Sequence, residues 1–394
     1  MSSFSSIPIL DLSLARDPGT KPKFLEELRH ALLEVGFLYL KNVGIPEELT
    51  ERVIKEGVGF FDIPLEEKLK IEMKTAPSFL GYSRLSAETT AHSPDHREQL
   101  DISTPHPLPL PTAPLYHNLL APNLWPSPAL LPHFRPTFED YMARMGAVSL
   151  FFTSLIAEAL GLAPDAFDRY FDEAQQHKLK VVKYPDLAEL GIEGQGQGVG
   201  PHKDSMLSSY LLQASPHRGL QVQNTAGAWV DCPPVAGTLV VAIGQGMEAL
   251  TGGVCTSTTH RVLSPAPGTG ARFSIPFFQG VSYDATFESM EVPEELRELR
   301  RAVLERSGGR RDDVEFTFRV GRYRHLGEAT LRNRVKSHPD VGERWYPELL
   351  REIREDERRE REGKEKEGGG KKVEGGKLEG GKVEEATGKV VEAH

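Results

Sequence analysis

The sequence is poor in cysteine, has fewer basic than acidic residues and lacks long apolar runs. Only two cysteines, Cys232 and Cys255, occur among 394 residues, so we expect neither a disulfide framework nor a thiolate metal site. The net charge of -10 argues against a surface that binds nucleic acid. No run of about 18 apolar residues is present, so no membrane span is expected.

A secretion signal is also missing, because the opening segment MSSFSSIPILDLS has neither a basic stretch nor an apolar core. We therefore expect a cytoplasmic protein. Its hydrophobic content of 39% and charged content of 26% are ordinary for a globular chain. The partner that we expect is a small-molecule substrate, and we expect the protein to be a monomer.

The pattern of the chain predicts three parts. Residues 1–130 mix helical periodicity with a short buried strand, PheLeuTyrLeu, at 37–40. Residues 131–352 begin with a long amphipathic helix, continue with strand-like runs and end in helices. Residues 353–394 are charged, rich in glycine and without aromatic side chains. This last part predicts a fraying helical end followed by a disordered tail.

Seven short β-rich runs, separated by glycine and proline, begin near residue 179. They are LKVVKY, LSSYLLQ, GLQVQ, AWVD, TLVVAI, TTHRVL and RFSIP. Their spacing of about ten residues predicts a β-sandwich or a jelly-roll barrel. The expected fold is therefore mainly β, with helices flanking the core.

A candidate metal site lies within these runs. In an extended segment, His202 and Asp204 point to the same side because side chains repeat every second residue. His260 supplies a third ligand from a later run. Two imidazoles and one carboxylate suit Fe(II) and leave coordination positions open. Zinc would accept the same ligands, but the sequence has no HExxH motif.

A candidate carboxylate clamp follows the third ligand. Arg272 and Ser274 form another same-side pair, in which the guanidinium can fork a carboxylate and the hydroxyl can donate to it. Taken alone, Arg272 is better explained as a buried structural arginine. In company with the three ligands, it predicts a pocket that holds iron beside an organic acid.

These motifs resemble those of the iron(II)- and 2-oxoglutarate-dependent dioxygenases of the isopenicillin N synthase-like superfamily. The resemblance covers most of residues 5–325. It includes IPILDLS and GFLYLKNVGIP in the first half, then PHKDSMLSSYLLQ, GLQVQ, WVDCPP, STTHRV and RFSIPFF in family order. The resemblance implies a double-stranded β-helix core, also called a jelly roll, and an oxidoreductase that uses Fe(II), 2-oxoglutarate and O2.

Roles for individual residues follow from the resemblance alone. It implies His202, Asp204 and His260 as catalytic iron ligands, and Arg272 and Ser274 as the site for the distal carboxylate of 2-oxoglutarate. Tyr184 is expected to contact the same co-substrate, although Val182 stands where many relatives carry asparagine. The expected reaction is hydroxylation, desaturation or cyclisation at a C–H bond of a small secondary-metabolite intermediate, with release of succinate and CO2.

Substrate contacts are expected from Phe79, Arg84, Lys183 and Phe278. The glycine- and glutamine-rich segment 191–200 could be a lid or a plain surface connection. Three alternatives to the main interpretation remain at this point: an iron oxidase that works without 2-oxoglutarate, as isopenicillin N synthase does, a non-catalytic metal- or ligand-binding module, and a zinc hydrolase.

Overall fold

The computed structural model of the protein describes residues 3–90, 93–286, 288, 290–306 and 324–369. The strands are β1 (Ile9–Asp11), β2 (Phe37–Lys41), β3 (Gly81–Ser83), β4 (Thr89–Thr90), β5 (Ser93–Pro94), β6 (Glu98–Ser103), β7 (Lys178–Tyr184), β8 (Gln197–His202), β9 (Ser208–Gln213), β10 (Leu220–Gln223), β11 (Trp229–Asp231), β12 (Thr238–Ile243), β13 (His260–Leu263) and β14 (Arg272–Phe278). The helices are α1 (Lys21–His30), α2 (Glu47–Asp62), α3 (Leu65–Leu69), α4 (Phe134–Ala159), α5 (Leu187–Leu190), α6 (Gln245–Leu250), α7 (Glu294–Arg306), α8 (Leu326–Ser337), α9 (Pro339–Trp345) and α10 (Pro347–Gly369).

Two sheets form the centre of the molecule. The large sheet has the strand order β1-β2-β12-β9-β14-β7-β6-β3, and the small sheet has the order β11-β10-β13-β8. The four strands of the small sheet and four neighbours in the large sheet, β12, β9, β14 and β7, make the eight strands of a jelly roll. The predicted fold class, a jelly-roll core flanked by helices, is confirmed.

Each of the seven β-rich runs forms a strand, and the sequence reasoning missed an eighth. The missed strand is β8, with the sequence QGVGPH, which pairs with β13 in an irregular register. Its glycines and proline have low β-propensity, so the pattern reads as a loop. Because β8 is Gln197–His202, the segment 191–200 is a connection over residues 191–196 and part of a paired strand over residues 197–200.

The N-terminal part of the chain extends the large sheet on both sides. Strand β2 pairs with β12 at one side, and β6 pairs with β7 at the other. Residues before 131 and residues after 178 therefore share one sheet. This arrangement brings residues 84–90 and 93–103 beside β7.

Helix α4 supports the large sheet from behind. It has 26 residues, among them the buried Phe138, Met145 and Phe152. Length and composition alone would allow α4 to cross a membrane, but 61% of its most apolar window is buried within the fold. The helix packs against α1 and α2, as the core helix of a folded domain does.

The C-terminal helices pack on the first half of the chain. Helix α10 crosses the predicted boundary at residue 353, where Ile353 is 4% exposed, and it continues to Gly369. Residues 353–369 are thus helical. The predicted disordered tail from residue 370 onward lies outside the described residues.

Candidate active site

Three side chains from the neighbouring strands β8 and β13 and the loop after β8 meet at one point. His202 ends β8, His260 begins β13, and the two residues are register partners. Asp204 follows β8, and its Oδ1 lies 3.8 Å from His202 Nε2 and 3.7 Å from His260 Nε2. One ligand atom from each residue lies within 4.8 Å of the others. The cluster can hold one metal ion.

Hydrogen bonds fix the orientation of both imidazoles. His202 Nδ1 lies 2.8 Å from the carbonyl of Gly200, and His260 Nδ1 lies 3.1 Å from the carbonyl of Thr258. A carbonyl only accepts, so each Nδ1 carries the proton and each Nε2 keeps its lone pair. Backbone partners of this kind set the tautomer of metal-binding histidines. Both lone pairs point to the side where Asp204 lies.

The carboxylate of Asp204 is held from two directions. Ser209 Oγ on β9 donates to Asp204 Oδ2, which leaves Oδ1 for a metal. The backbone carbonyl of Asp204 accepts from Gln245 N at 2.7 Å. Gly244 permits this approach, since a Cβ there would lie 1.8 Å from the carbonyl oxygen of Met206. The loop that carries Asp204 is therefore braced by the start of α6.

Burial keeps the two histidines neutral. It lowers the pKa of His260 to about 4, with help from the neighbouring His202. Burial also lowers the pKa of His202, although Asp204 opposes the effect. Neutral imidazole is the form that binds a metal. The chemistry of the donor set, two neutral imidazoles and one carboxylate, fits Fe(II).

A buried guanidinium lies deeper in the same cavity. Arg272 is 1% exposed, and its side chain lies over the ring of Tyr184 at 5.0 Å. Its Nη2 donates to Gln213 Oε1 at 3.3 Å. Among the residues that the structure describes, no atom accepts a hydrogen bond from its Nε or Nη1. Burial lowers the pKa of Arg272. Donors left free in this way fit a carboxylate ligand.

The cavity has a volume of about 320 Å3 and is lined by both sheets. Strand β14 contributes Arg272, Ser274, Pro276 and Phe278, which are alternate residues and therefore share a face. Arg272 is paired with Tyr184 at one end of this face, and Phe278 is paired with Lys178 at the other. The cavity thus has an arginine end and a lysine end.

Helix α8 forms a polar wall of the cavity. Thr330, Asn333, Arg334 and Ser337 line it, and their spacing of three and four residues places them on one helical face. All four side chains can form hydrogen bonds. The space beside α8 therefore suits a polar molecule.

Charged groups from the first half of the chain form a network at the lysine end. Arg97 lies 2.5 Å from Glu88 and 3.1 Å from Asp95. Lys180 lies 2.8 Å from Asp101 and 3.7 Å from Glu88. Burial alone would raise the pKa of Glu88, but Arg97 and Lys180 outweigh it and hold the pKa well below the usual range. These ion pairs keep the charges fixed in a buried wall.

Comparison with known proteins identifies the chain. Residues 176–281 match the 2OG-Fe(II) oxygenase superfamily, and residues 7–128 match the N-terminal domain described as "non-haem dioxygenase in morphine synthesis". The 2-oxoglutarate-dependent dioxygenase frbJ of Dothideomycetidae sp. (strain 11243) is 71% identical over 355 residues, which cover 90% of this chain and 96% of frbJ. The chain belongs to the 2OG-Fe(II) oxygenase family.

A second relative and a solved structure are also similar to the chain. Validamycin A dioxygenase of Streptomyces hygroscopicus subsp. limoneus is 33% identical over 300 residues, which cover 73% of this chain and 79% of the relative. The crystal structure of a dioxygenase for auxin oxidation in rice superposes with a TM-score of 0.58 at 23% identity, and the match covers 78% of this chain and 98% of the rice chain. The likeness to the rice structure supports the jelly-roll fold.

The family membership confirms that the protein is an oxidoreductase that uses Fe(II), 2-oxoglutarate and O2. It oxidises a C–H bond of a small organic molecule with release of succinate and CO2. The alternative of an iron oxidase without 2-oxoglutarate is not favoured by the relatives.

Of the four residues that we expected to contact substrate, only Phe278 lines the cavity of the oxygenase. Lys183 points to the opposite face of β7, where it pairs with Glu98 at 3.5 Å and Glu189 at 3.0 Å. The reason is the alternation of strand residues, because Tyr184 already faces the cavity. The lysines of β7 that do line it are Lys178 and Lys180, which the same alternation, counted back from Tyr184, would have found.

Phe79 and Arg84 do not line the cavity either. Phe79 is 1% exposed and stacks on Tyr346 with ring centroids 5.7 Å apart. Arg84 is exposed and pairs with Glu72 at 2.5 Å. Both residues belong to contacts that hold the first half of the chain together and attach it to the C-terminal helices.

Proposed function

We propose that His202, Asp204 and His260 hold the catalytic Fe(II), and that Arg272 with Ser274 binds the distal carboxylate of 2-oxoglutarate. The observation that carries the proposal is that both groups line one cavity. The free donors of buried Arg272 and the lone pairs fixed on the histidines support it. When bound, iron and 2-oxoglutarate supply the oxidative decarboxylation that drives oxidation of the substrate C–H bond.

The residues of the chain position and enclose these groups. Ser209 orients the carboxylate of Asp204, and the backbone carbonyls of Gly200 and Thr258 orient the imidazoles. Tyr184 packs against the guanidinium of Arg272, which limits its side-chain freedom. These contacts preorganise the site, so little reorganisation is needed when ligands bind.

We propose hydroxylation of a small polar molecule of secondary metabolism as the reaction. The polar face of α8 and the charged network at the lysine end support a polar substrate. The cavity of about 320 Å3 must also hold 2-oxoglutarate, so the room left for the substrate is small. The likeness to frbJ and to validamycin A dioxygenase supports a role in secondary metabolism.

The test is anaerobic reconstitution with Fe(II) and 2-oxoglutarate, followed by exposure to O2. We expect a visible charge-transfer band of the iron chelate before O2 is added, and succinate formation after it. Asp204→Ala should lose the band because the metal loses its carboxylate ligand. Lys183→Met is the matched control, since Lys183 lies on the other face of β7 and should leave the band unchanged.

Two results would contradict the proposal. Folded, iron-loaded protein without the band would exclude chelation of 2-oxoglutarate at this site. Oxygen consumption at the same rate with and without 2-oxoglutarate would instead favour the oxidase alternative.

A further inference from the structure

One buried lysine at the lysine end of the cavity makes no ion pair with the carboxylates that the structure describes, although Asp101 lies near enough to raise its pKa. Lys178 is 6% exposed and lines the cavity. Its Nζ donates to the carbonyl of Leu119 at 2.9 Å. Within the described part of the chain, no carboxylate oxygen lies within 4.0 Å of this nitrogen, in contrast to Lys180 on the same strand. A buried charge with only a carbonyl partner is costly.

The surroundings of Lys178 carry excess positive charge. The described charged groups here are the carboxylates Glu88, Asp95 and Asp101 and the cations Arg97, Lys178, Lys180 and Arg334. This wall therefore has one more cation than carboxylates. His338 lies beside Glu88 at 3.2 Å. Among the described carboxylates, Arg334 pairs with Asp101 alone, at 3.5 Å. Burial and the neighbouring Arg334 lower the pKa of Lys178 to about 7. One further anion would balance this wall.

The position of Lys178 is suited to a substrate rather than to the co-substrate. Ser209, Phe278 and Lys178 are register partners across β9, β14 and β7. Ser209 holds Asp204, so Lys178 lies two strands, about 10 Å, from the strand that supports the metal cluster. Arg272 lies six residues along β14 from Phe278, which is roughly 20 Å. An anion at Lys178 is therefore near the metal and far from the arginine end.

We propose that Lys178 and Arg334 bind a carboxylate of the substrate, which makes the substrate a small organic acid about the size of an amino acid. This assignment rests on the proposed function. Phe278 lies between Lys178 and Ser209 in the register, so an acid held at Lys178 extends across its ring toward the metal cluster. The polar face of α8 contacts the rest of the molecule.

The test uses the full-length protein with Fe(II), 2-oxoglutarate and a defined panel of compounds. The panel contains the proteinogenic L-amino acids and the aliphatic mono- and dicarboxylic acids of three to six carbons other than succinate, each paired with its primary amide. Succinate formation above the substrate-free rate is the readout. We expect at least one acid to stimulate turnover, and its amide to need about ten-fold or more higher concentration, because the amide lacks the charge.

Variants then locate the carboxylate. Lys178→Met and Arg334→Met should each raise KM for the stimulating acid by about ten-fold or more with a smaller change in kcat, as loss of substrate binding does. Lys178→Arg, which keeps the charge, should restore most of the affinity. Lys183→Met should match the wild type. The comparison of acid with amide needs no variant and tests recognition of a carboxylate by itself, and Arg334→Met still locates the carboxylate if Lys178→Met does not fold.

Three outcomes would overturn the assignment. One is equal stimulation by acids and amides, and another is a complete absence of stimulation across the panel. A third is a rise in KM for 2-oxoglutarate, rather than for the acid, in Lys178→Met. The charge-transfer band and the substrate-free succinate rate test the proposed function separately, so their presence would confine the failure to the substrate assignment.

Discussion

Replacing Arg272 with methionine should affect the protein without 2-oxoglutarate and the protein with 2-oxoglutarate in different ways. In the structure, Arg272 is 1% exposed, and no described carboxylate pairs with it. Exchange of a buried, unpaired charge for an apolar side chain of similar length is often neutral or stabilising. We therefore expect the free energy of unfolding of the variant without 2-oxoglutarate to equal or exceed that of the wild type.

The same exchange should almost abolish the stabilisation by 2-oxoglutarate. Loss of one partner of a buried, hydrogen-bonded charge pair costs about 2 to 5 kcal/mol, which corresponds to roughly a 30-fold to 4,000-fold increase in Kd. At a concentration 100 times the wild-type Kd, the ligand adds about 2.7 kcal/mol to the stability of the wild type. The variant should gain less than about 0.9 kcal/mol under the same conditions.

Anaerobic denaturant unfolding with Fe(II), with and without 2-oxoglutarate, measures both effects. Arg218→Met is a suitable control, because the side chain of Arg218 is 67% exposed and pairs with Asp231 at 3.4 Å on the surface. This control should gain as much from 2-oxoglutarate as the wild type. An equal gain in Arg272→Met would refute the assignment of the clamp, and so would a loss of several kcal/mol in the variant without ligand.

The remaining predictions concern the metal and the lysine end. Ser209→Ala should weaken Fe(II) binding about 10-fold to 100-fold, because the carboxylate of Asp204 loses its orienting donor. Metal titration measures this affinity. An unchanged affinity would show that the hydroxyl of Ser209 is dispensable. Gly244→Ala should destabilise the fold by about 1 to 3 kcal/mol and also weaken Fe(II) binding, since its Cβ would meet the carbonyl of Met206 at 1.8 Å; thermal melting and metal content check the two effects. The low pKa of Lys178, about 7, predicts that KM for an acid substrate is low below about pH 7 and rises above it, where the lysine becomes neutral. Lys178→Arg should remove this pH dependence. A KM that does not change with pH in the wild type would contradict the prediction.

The candidate metal ligands and the carboxylate-binding pair could be predicted from the sequence because each is a local pattern of residues. The pair His202 and Asp204, then His260, then Arg272 with Ser274, lie in chain order on β-rich runs. Seven of the eight jelly-roll strands could also be predicted, since they are rich in valine, leucine and isoleucine. Strand β8 was not, because its glycines and proline give no β pattern even though tertiary pairing with β13 holds it extended.

The polar and charged wall of the cavity was harder to predict, because it depends on contacts between distant parts of the chain. Arg334 reaches the cavity only because α8 packs on the segment around Tyr116 and Leu119. Glu88 and Arg97 reach it because β6 pairs with β7. Neither contact leaves a periodic signal in the sequence. The choice of Lys183 was a different kind of error, since the alternation along β7 was available and was not applied.

The face of β7 that lines the cavity has a consequence for how the specificity of this enzyme can change. Tyr184 and Lys178 serve opposite ends of the cavity from one strand, so inserting or deleting a single residue in β7 would turn one of those ends toward the core. Point substitutions in β7 can therefore change the substrate specificity, whereas insertions or deletions there would disrupt the site. Helix α8 and the residues 84–90 and 93–97 do not depend on that alternation over most of their length. Chimeras with related oxygenases should accordingly exchange those two segments and keep β7 intact.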